Sequence, residues 1–469
     1  MENMNYIHKL TIAICFRILI LLALYNSQNL CADVFYEGLA PNTSEQMTNA
    51  NYWIKRTANP NKLIMTNNQI NKLNQTVINS IPSVINIWKL PSTITGKYIF
   101  NKITSYKLPY QKIRYNNKNE IIRPDYYDRL KEKINLKRIR NLTKPIYGII
   151  TKRANVRTFP TNDVNMGKPN DHDFDLFQET SFEIMDTVAI LHISSDQKWY
   201  FVIGWNYHGW VETTSIALAQ SKLKLFNFVN PKHYIIITAK KINVTYIDQP
   251  WHCGQVETKK ELRIGTKLPV IKPSKSLLSN SPSTLPKYYL AYIPTRDEFG
   301  FFKQQIIYIP KKEDVHYGYL KYSIKNILTQ IFKLNHQHYG WGGMKNGQDC
   351  SGIMVDIFKC FGIFLPRNSS QQRITGTKLF ETTGNEPDEQ LNFNFTLLPP
   401  GSLIFKPGHV MMYIGSILNS HYIIHSRSKF TNLPYCPSTQ RVMKVIVSDL
   451  SILKNKIRSI KWARGIFIQ

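Results

Sequence analysis

Asp349-Cys350-Ser351-Gly352 is followed by Ile353, Met354, Ile357, Phe358 and Phe361 at helical spacing, and then by Gly362, a residue suited to closing a helix. The spacing predicts a helix with Cys350 at or just before its first turn. There the unpaired N–H groups and the helix dipole stabilise an anion, so the thiol is expected to ionise below the value of about 8.5 for free cysteine. A thiolate nucleophile needs a base and a group that orients the base. His409 opens the apolar run His409-Val410-Met411-Met412-Tyr413-Ile414 just after Pro407-Gly408, and His425 ends the run Tyr422-Ile423-Ile424-His425. The stretch 415–419 reads as a hairpin loop, so the two histidines can stand together on one face of adjacent antiparallel strands. In that arrangement His409 is the general base, and later the acid that protonates a leaving amine. His425 then holds the His409 ring in one tautomer.

A buried structural cysteine is the common alternative for any single thiol, and Cys360 and Cys253 are read that way. His421 and His425 lie four residues apart in a strand with no carboxylate or third ligand beside them, which does not make a metal site. His336 and His338 read as surface-loop residues. No metal or organic cofactor is implied.

These groups need a helix and a sheet to hold them. Ile324, Ile327, Leu328, Ile331 and Leu334 give an amphipathic helix ahead of Tyr339-Gly340-Trp341-Gly342-Gly343. Pro399 and Pro400 break the chain before predicted strands at 402–405, 409–414 and 421–425, and an acidic loop is expected over 381–389. A helix carrying the nucleophile, packed on an antiparallel sheet carrying the bases, is an α+β layout. Upstream, β-rich runs such as Val188-Ala189-Ile190-Leu191 and Trp199-Tyr200-Phe201-Val202 alternate with turn signals, which suggests two consecutive small barrels. The stretch 33–145 is polar with weak helical periodicity, and its basic run at 129–140 reads as a solvated helix face.

The chain has 469 residues, 43% hydrophobic and 19% charged, as expected of a folded protein of several domains. Its formal charge of +29 is spread along the whole length. AT-rich codon usage accounts for such a bias, and so does attraction to anionic wall polymers. Nucleic-acid binding has only the charge in its favour and no motif. His8 and Lys9 precede a mainly apolar run from Leu10 to Tyr25 whose only charge is Arg17, and its uninterrupted part, Ile18 to Tyr25, is too short to span a bilayer. It reads as a secretory leader cleaved near Ala32. Lipidation of Cys31 is less favoured because Leu30 precedes it. An exported, periplasmic or cell-envelope protein follows. The six cysteines show no CxxC pair or regular spacing.

Residues 313–469 resemble the NlpC/P60 family of cell-wall cysteine peptidases, which have a papain-like fold. The matching pieces occur in order: Tyr339-Gly340-Trp341-Gly342-Gly343, Asp349-Cys350-Ser351-Gly352, Pro407-Gly408-His409 with the run that follows, and Ile423-Ile424-His425-Ser426. The stretches 153–161, 174–179 and 196–200 are similar to the first of two bacterial SH3-like domains found in members with an N-terminal clip-like domain, and 51–74 resembles the clip. The resemblance implies a leader over 1–32, a clip-like domain over 33–145, SH3-like barrels over 146–222 and 223–312, and an NlpC/P60 peptidase domain over 313–469.

It also implies a Cys350–His409–His425 triad that hydrolyses peptidoglycan stem peptides between γ-D-glutamate and a diamino acid, usually meso-diaminopimelate. A preference for stems with a free N-terminal L-Ala comes with the barrels. Asp349 is the expected partner of that ammonium, with Ser351 and Tyr339 hydrogen-bonding nearby. The loop 174–179 is the candidate for closing the pocket, with Glu179 either a second carboxylate or an ordinary exposed acid. Two alternatives stay open, a wall-binding protein without catalysis and an amidase or acyl transferase on the same fold.

Overall fold

The computed structural model describes residues 39–247, 257–271, 287–383, 385–431, 439–452 and 460–467. The leader with Cys31 and Ala32, Cys253, and all but the last residue of the Ser/Pro-containing loop at 275–287 lie outside the described residues.

The N-terminal segment folds as short helices. α1 spans Ala50–Ile54 and α2 spans Asn67–Ser80. A capping box starts α2: the Thr66 hydroxyl accepts from the Gln69 N–H while Gln69 Oε1 accepts from the Thr66 N–H at 2.9 Å. Ile70, Leu73 and Val77 on one side of α2 enter the core of the C-terminal domain together with Trp53 of α1. α3 (Gly96–Thr104) and α4 (Pro124–Ile134) instead bury Ile99, Ile103, Tyr127, Leu130 and Ile134 against the first barrel. Among the described residues, the segment's apolar side chains are thus shared between two neighbours, where the sequence suggested one unit over 33–145. Each helix is too short to build a core alone.

The first barrel is a seven-stranded antiparallel sheet. Its strands are β1 (Ile146–Ile150), β2 (Ala154–Arg157), β3 (Gln178–Phe182), β4 (Thr187–Ile193), β5 (Trp199–Ile203), β6 (His208–Glu212) and β7 (Ile216–Leu218), in the order β3-β2-β6-β5-β4-β1-β7. Alternation along β4 sends Val188 and Ile190 into one cluster, and Ala189 and Leu191 into the cluster shared with α3 and α4. After α5 (Lys222–Val229), a second β-unit forms around Ile235, Ile237, Val244, Leu262, Ile293 and Ile307. It comprises a three-stranded sheet, β8 (Tyr234–Ile237) between β11 (Lys267–Pro269) and β14 (Val315–Tyr317), and two hairpins. The hairpins are β9 (Lys241–Ile247) with β10 (Glu257–Arg263), and β12 (Tyr288–Arg296) with β13 (Phe302–Pro310). β14 lies past the expected boundary at 312, because pairing with Ile235–Ile237 recruits a short strand that carries no apolar run of its own.

The C-terminal domain sets α6 (Ile324–Phe332) and α7 (Cys350–Lys359) against a six-stranded antiparallel sheet. The strands are β15 (Thr377–Glu381), β16 (Leu403–Lys406), β17 (His409–Ile417), β18 (Ser420–Phe430), β19 (Gln440–Asp449) and β20 (Trp462–Gly465), in the order β15-β20-β16-β17-β18-β19. Ile353, Ile357 and Phe358 of α7 pack on Val410, Met412 and Ile414 of β17. The other face, with Met411, Tyr413 and Ile423, is covered by Phe395 of α8 (Asp388–Thr396). α8 takes up the end of the stretch expected to be an acidic loop, because Phe395 gives it an anchor in that core. Gly415 has φ +139°, and a Cβ there would come within 3.1 Å of the Trp53 ring, so this position lets α1 lie directly on the sheet.

Candidate active site

Cys350 is the first residue of α7, and Asp349 is its N-cap. The Asp349 carboxylate accepts from the Gly352 N–H at 2.8 Å and from the Ser351 hydroxyl at 3.2 Å. Its remaining capacity goes to Arg367, whose Nη2 and Nη1 donate at 2.6 and 3.0 Å, and to the Gly342 N–H at 3.2 Å. Arg367 also donates to Ser351 Oγ at 2.9 Å and, through Nε, to Thr180 Oγ1 of β3 at 2.6 Å. Burial pushes the Asp349 carboxyl up, but Arg367 and these hydrogen bonds prevail and hold it below the usual carboxylate range. Asp349 therefore has its oxygens occupied within the protein. That corrects the expectation that it offers an open carboxylate to a substrate ammonium. Ser351 is likewise committed to Asp349 and Arg367.

Cys350 keeps part of its surface exposed, while close packing strips it of most of its water. Burial and then the Asp349 charge push the thiol up to about 11, against the lowering pull of the Val410 and Ser351 N–H groups and Arg367. The sequence suggested the opposite direction. The helix terminus is where it was expected, but its cap is itself an anion and its first turn is desolvated, and these two effects outweigh the dipole.

The Val410 N–H directed at the thiol places Cys350 beside the start of β17, where His409 stands. His409 Nε2 lies 2.9 Å from His425 Nδ1, and His425 Nε2 lies 3.2 Å from Ser448 Oγ on β19. With Nε2 turned to His425, Nδ1 is the His409 nitrogen left for the thiol. His425 and Ser448 are fully buried and His409 is 7% exposed. Burial, the neighbouring ring and the charges of Arg427 and Lys406 push the His409 ring well below its ordinary value; burial and the same two charges lower His425. Both rings are neutral near pH 7, and the resting site pairs a thiol with a free base. His421 points elsewhere, its Nδ1 3.4 Å from the Tyr413 hydroxyl and its ring against Phe395.

This neutrality has a sign that can be measured. Below the ordinary histidine value of about 6.5 the unfolded chain binds protons that the buried pair refuses. The stability contributed by the pair is present above that value and lost as pH falls through the depressed folded values. Other buried groups titrate in the same range, among them Asp356, pushed up to about 6 by burial, so the comparison must be made against a variant. Melting temperature should fall more steeply from pH 7 to pH 5 in the wild type than in His425→Asn. Equal slopes would show that the pair is not held neutral.

The first barrel packs against the loop ahead of Cys350. Tyr339 is buried at the cleft, its ring 6.2 Å from Phe174, which also meets Trp341 at 5.7 Å. Gln178 Nε2 donates to the Gly342 carbonyl at 2.8 Å, and Arg153 Nη2 to the Gly343 and Gly347 carbonyls at 2.9 and 3.1 Å. Gly342 has φ +53°, and a Cβ on it would sit 2.9 Å from Gln178 Cγ, so glycine is needed both for the turn and for the approach of β3. The stretch 174–179 thus lies against the loop that precedes Cys350, and the preceding Asp173 pairs with Lys345 and Arg441. Glu179 is half-buried and accepts a hydrogen bond from the Tyr207 hydroxyl. Burial raises its carboxyl, and Tyr207 and Arg367 pull the other way.

Sequence reading passed over Arg367, Tyr207 and Ser448. Ser448 left one trace, a hydroxyl ending the apolar run Val445-Ile446-Val447. Arg367 and Tyr207 left none, since their partners are far away in the chain.

Residues 336–444 match the model of the NlpC/P60 family, and residues 166–212 match that of an SH3 domain of the SH3b1 type. Among solved structures, an NlpC/P60 endopeptidase from Photobacterium damselae subsp. piscicida is similar with a TM-score of 0.65 and 20% identity over 84% of this chain and 88% of that one. An NlpC/P60 family protein from Bacillus cereus ATCC 10987 gives a TM-score of 0.46 and 18% identity over 68% of this chain and 99% of that one. The first of these likenesses is one of fold. A search of curated proteins found no match.

Proposed function

We propose that this chain, which carries an NlpC/P60 domain behind an SH3 domain, is a cysteine endopeptidase that cuts peptidoglycan stem peptides between γ-D-glutamate and meso-diaminopimelate. The observation that carries the reading is the buried His409–His425 hydrogen bond beside a thiol at a helix N-terminus. His409 Nδ1 takes the Cys350 proton as sulfur attacks the γ-carbonyl carbon. The oxyanion that forms meets backbone N–H groups of the first turn of α7, which have no partner within the helix. The imidazolium returns its proton to the departing amine, and water then cleaves the thioester with His409 again as base.

Recognition of a free L-Ala ammonium is assigned to Glu179, with Tyr207 beside it, because Asp349 already has its oxygens filled. Tyr339 walls the pocket next to Cys350, and Asp349 and Ser351 support it indirectly through Arg367.

Mass spectrometry of L-Ala-γ-D-Glu-meso-diaminopimelate incubated with the purified protein tests the reading. Release of L-Ala-D-Glu is expected, with N-acetylation of L-Ala lowering kcat/KM on the order of 10²-fold through the lost charged hydrogen bond and the acetyl group's bulk. No cleavage of this peptide or of whole peptidoglycan would overturn the proposal in favour of wall binding or another thiol transfer. Equal rates on both peptides would remove the role of Glu179.

A further inference from the structure

We infer that Ser448 is a positioning residue whose hydroxyl oxygen, by accepting from His425, supports the tautomer in which His409 carries its proton on Nε2. The inference rests on the proposed use of His409 as base. The hydroxyl lies at the far end of the chain from the thiol, on β19, fully buried, with His425 Nε2 3.2 Å away and His425 Nδ1 in turn 2.9 Å from His409 Nε2. Two neutral imidazoles in series have only two hydrogen-bonded proton arrangements. If Ser448 donates, His425 Nε2 accepts, His425 Nδ1–H donates to His409 Nε2, and His409 is left with its proton on Nδ1, facing the thiol. That ring cannot take a proton from sulfur. If Ser448 accepts, every bond reverses: His425 keeps its proton on Nε2, His409 keeps its own on Nε2, and His409 Nδ1 is bare.

Only the second arrangement is competent for the proposed reaction, and Ser448 supplies the acceptor that it needs at its far end. A carboxylate in this place would force it by charge, as in triads that end in aspartate. Here the terminal group is neutral. The charged groups facing the pair are the cations Arg427 and Lys406, which disfavour an imidazolium at either ring. The hydroxyl therefore supports the competent tautomer as a neutral acceptor, without supplying charge.

The experiment uses Ser448→Ala and Ser448→Thr in the full chain, with two readouts. In the wild type, ¹⁵N chemical shifts of the imidazoles should show both His409 and His425 protonated on Nε2. In Ser448→Ala a mixture of tautomers should appear, with the alkylation rate of Cys350 by iodoacetamide at pH 7 reduced about tenfold, the scale of one lost buried hydrogen bond. Ser448→Thr, which restores the hydroxyl, should recover the wild-type tautomer, and with it the alkylation rate. Wild-type rings protonated on Nδ1 would overturn the inference, as would a Ser448→Ala protein with unchanged tautomers and reactivity. Neither readout needs the peptide substrate. A protein that cuts no stem peptide but shows the expected tautomers would refute the proposed reaction and leave this inference standing.

Discussion

Replacing Cys350 with alanine should lower kcat/KM on a stem peptide by on the order of 10⁴-fold or more, the scale seen when a covalent nucleophile is deleted, while Cys360→Ala should leave turnover unchanged. The two thiols lie on the same helical segment, which makes the contrast informative. Cys350 stands at the first turn of α7 with part of its surface exposed. Cys360 follows the last turn, is fully buried among Ile357, Phe358 and Phe361, and donates weakly to the Asp356 carbonyl at 3.9 Å. Burial pushes its thiol up to about 12, so it stays protonated and inert. Losing its sulfur costs packing alone, about 1 kcal/mol, read as a small fall in the denaturation midpoint. Turnover surviving in Cys350→Ala would remove the thiol from the chemistry. Loss of turnover in Cys360→Ala without loss of fold would mean that the wrong cysteine had been chosen.

The resting charge state bears on the proposed use of that thiol. In the proposed reaction, with the thiol raised and both imidazoles depressed, His409 takes the thiol proton as sulfur attacks.

How much of this was legible from residue order follows from the range of each interaction. The helix of Cys350 and the strands of His409 and His425 announce themselves by local periodicity and by turn residues a few positions away, and the structure places them as α7, β17 and β18. The pairing of the two histidines follows from a hairpin, the shortest of tertiary relations. What was missed depends on contacts between distant segments. Asp349 looks like an open carboxylate until Arg367, 18 residues on, is folded against it. Glu179 looks like a surface acid until Tyr207, 28 residues away, covers one of its oxygens. The direction of the Cys350 shift was misjudged for a related reason: a helix terminus can be read from spacing, but its desolvation depends on the sheet and barrel closing around it. The second β-unit was harder still, since its three-stranded sheet joins residues from 234 to 317 through pairings that leave no periodic mark.

The buried pair of Arg367 and Asp349 carries the second large effect. Arg367→Met should destabilise the protein by roughly 3–5 kcal/mol, because it strands a carboxylate that has lost both its water and its counter-charge. Arg367 is 6% exposed, and its guanidinium engages both Asp349 oxygens and ties the first turn of α7 to Thr180 of the barrel. Methionine fills similar volume, so the loss measured is electrostatic and hydrogen-bonding rather than a cavity. The double variant Arg367→Met with Asp349→Asn should recover more than half of the loss, since asparagine caps a helix about as well as aspartate and leaves no charge behind. The pH dependence gives an independent check. Asp349 is depressed in the folded protein, so its contribution is present above the unfolded value of about 3.9 and is lost as pH falls through the folded one. That acid-side decline should be present in the wild type and absent from the double variant. Urea unfolding followed by tryptophan fluorescence reads all three proteins. A single-variant loss below about 1 kcal/mol would place the pair with exposed surface bridges, and the helix that presents Cys350 would then owe its position to packing alone.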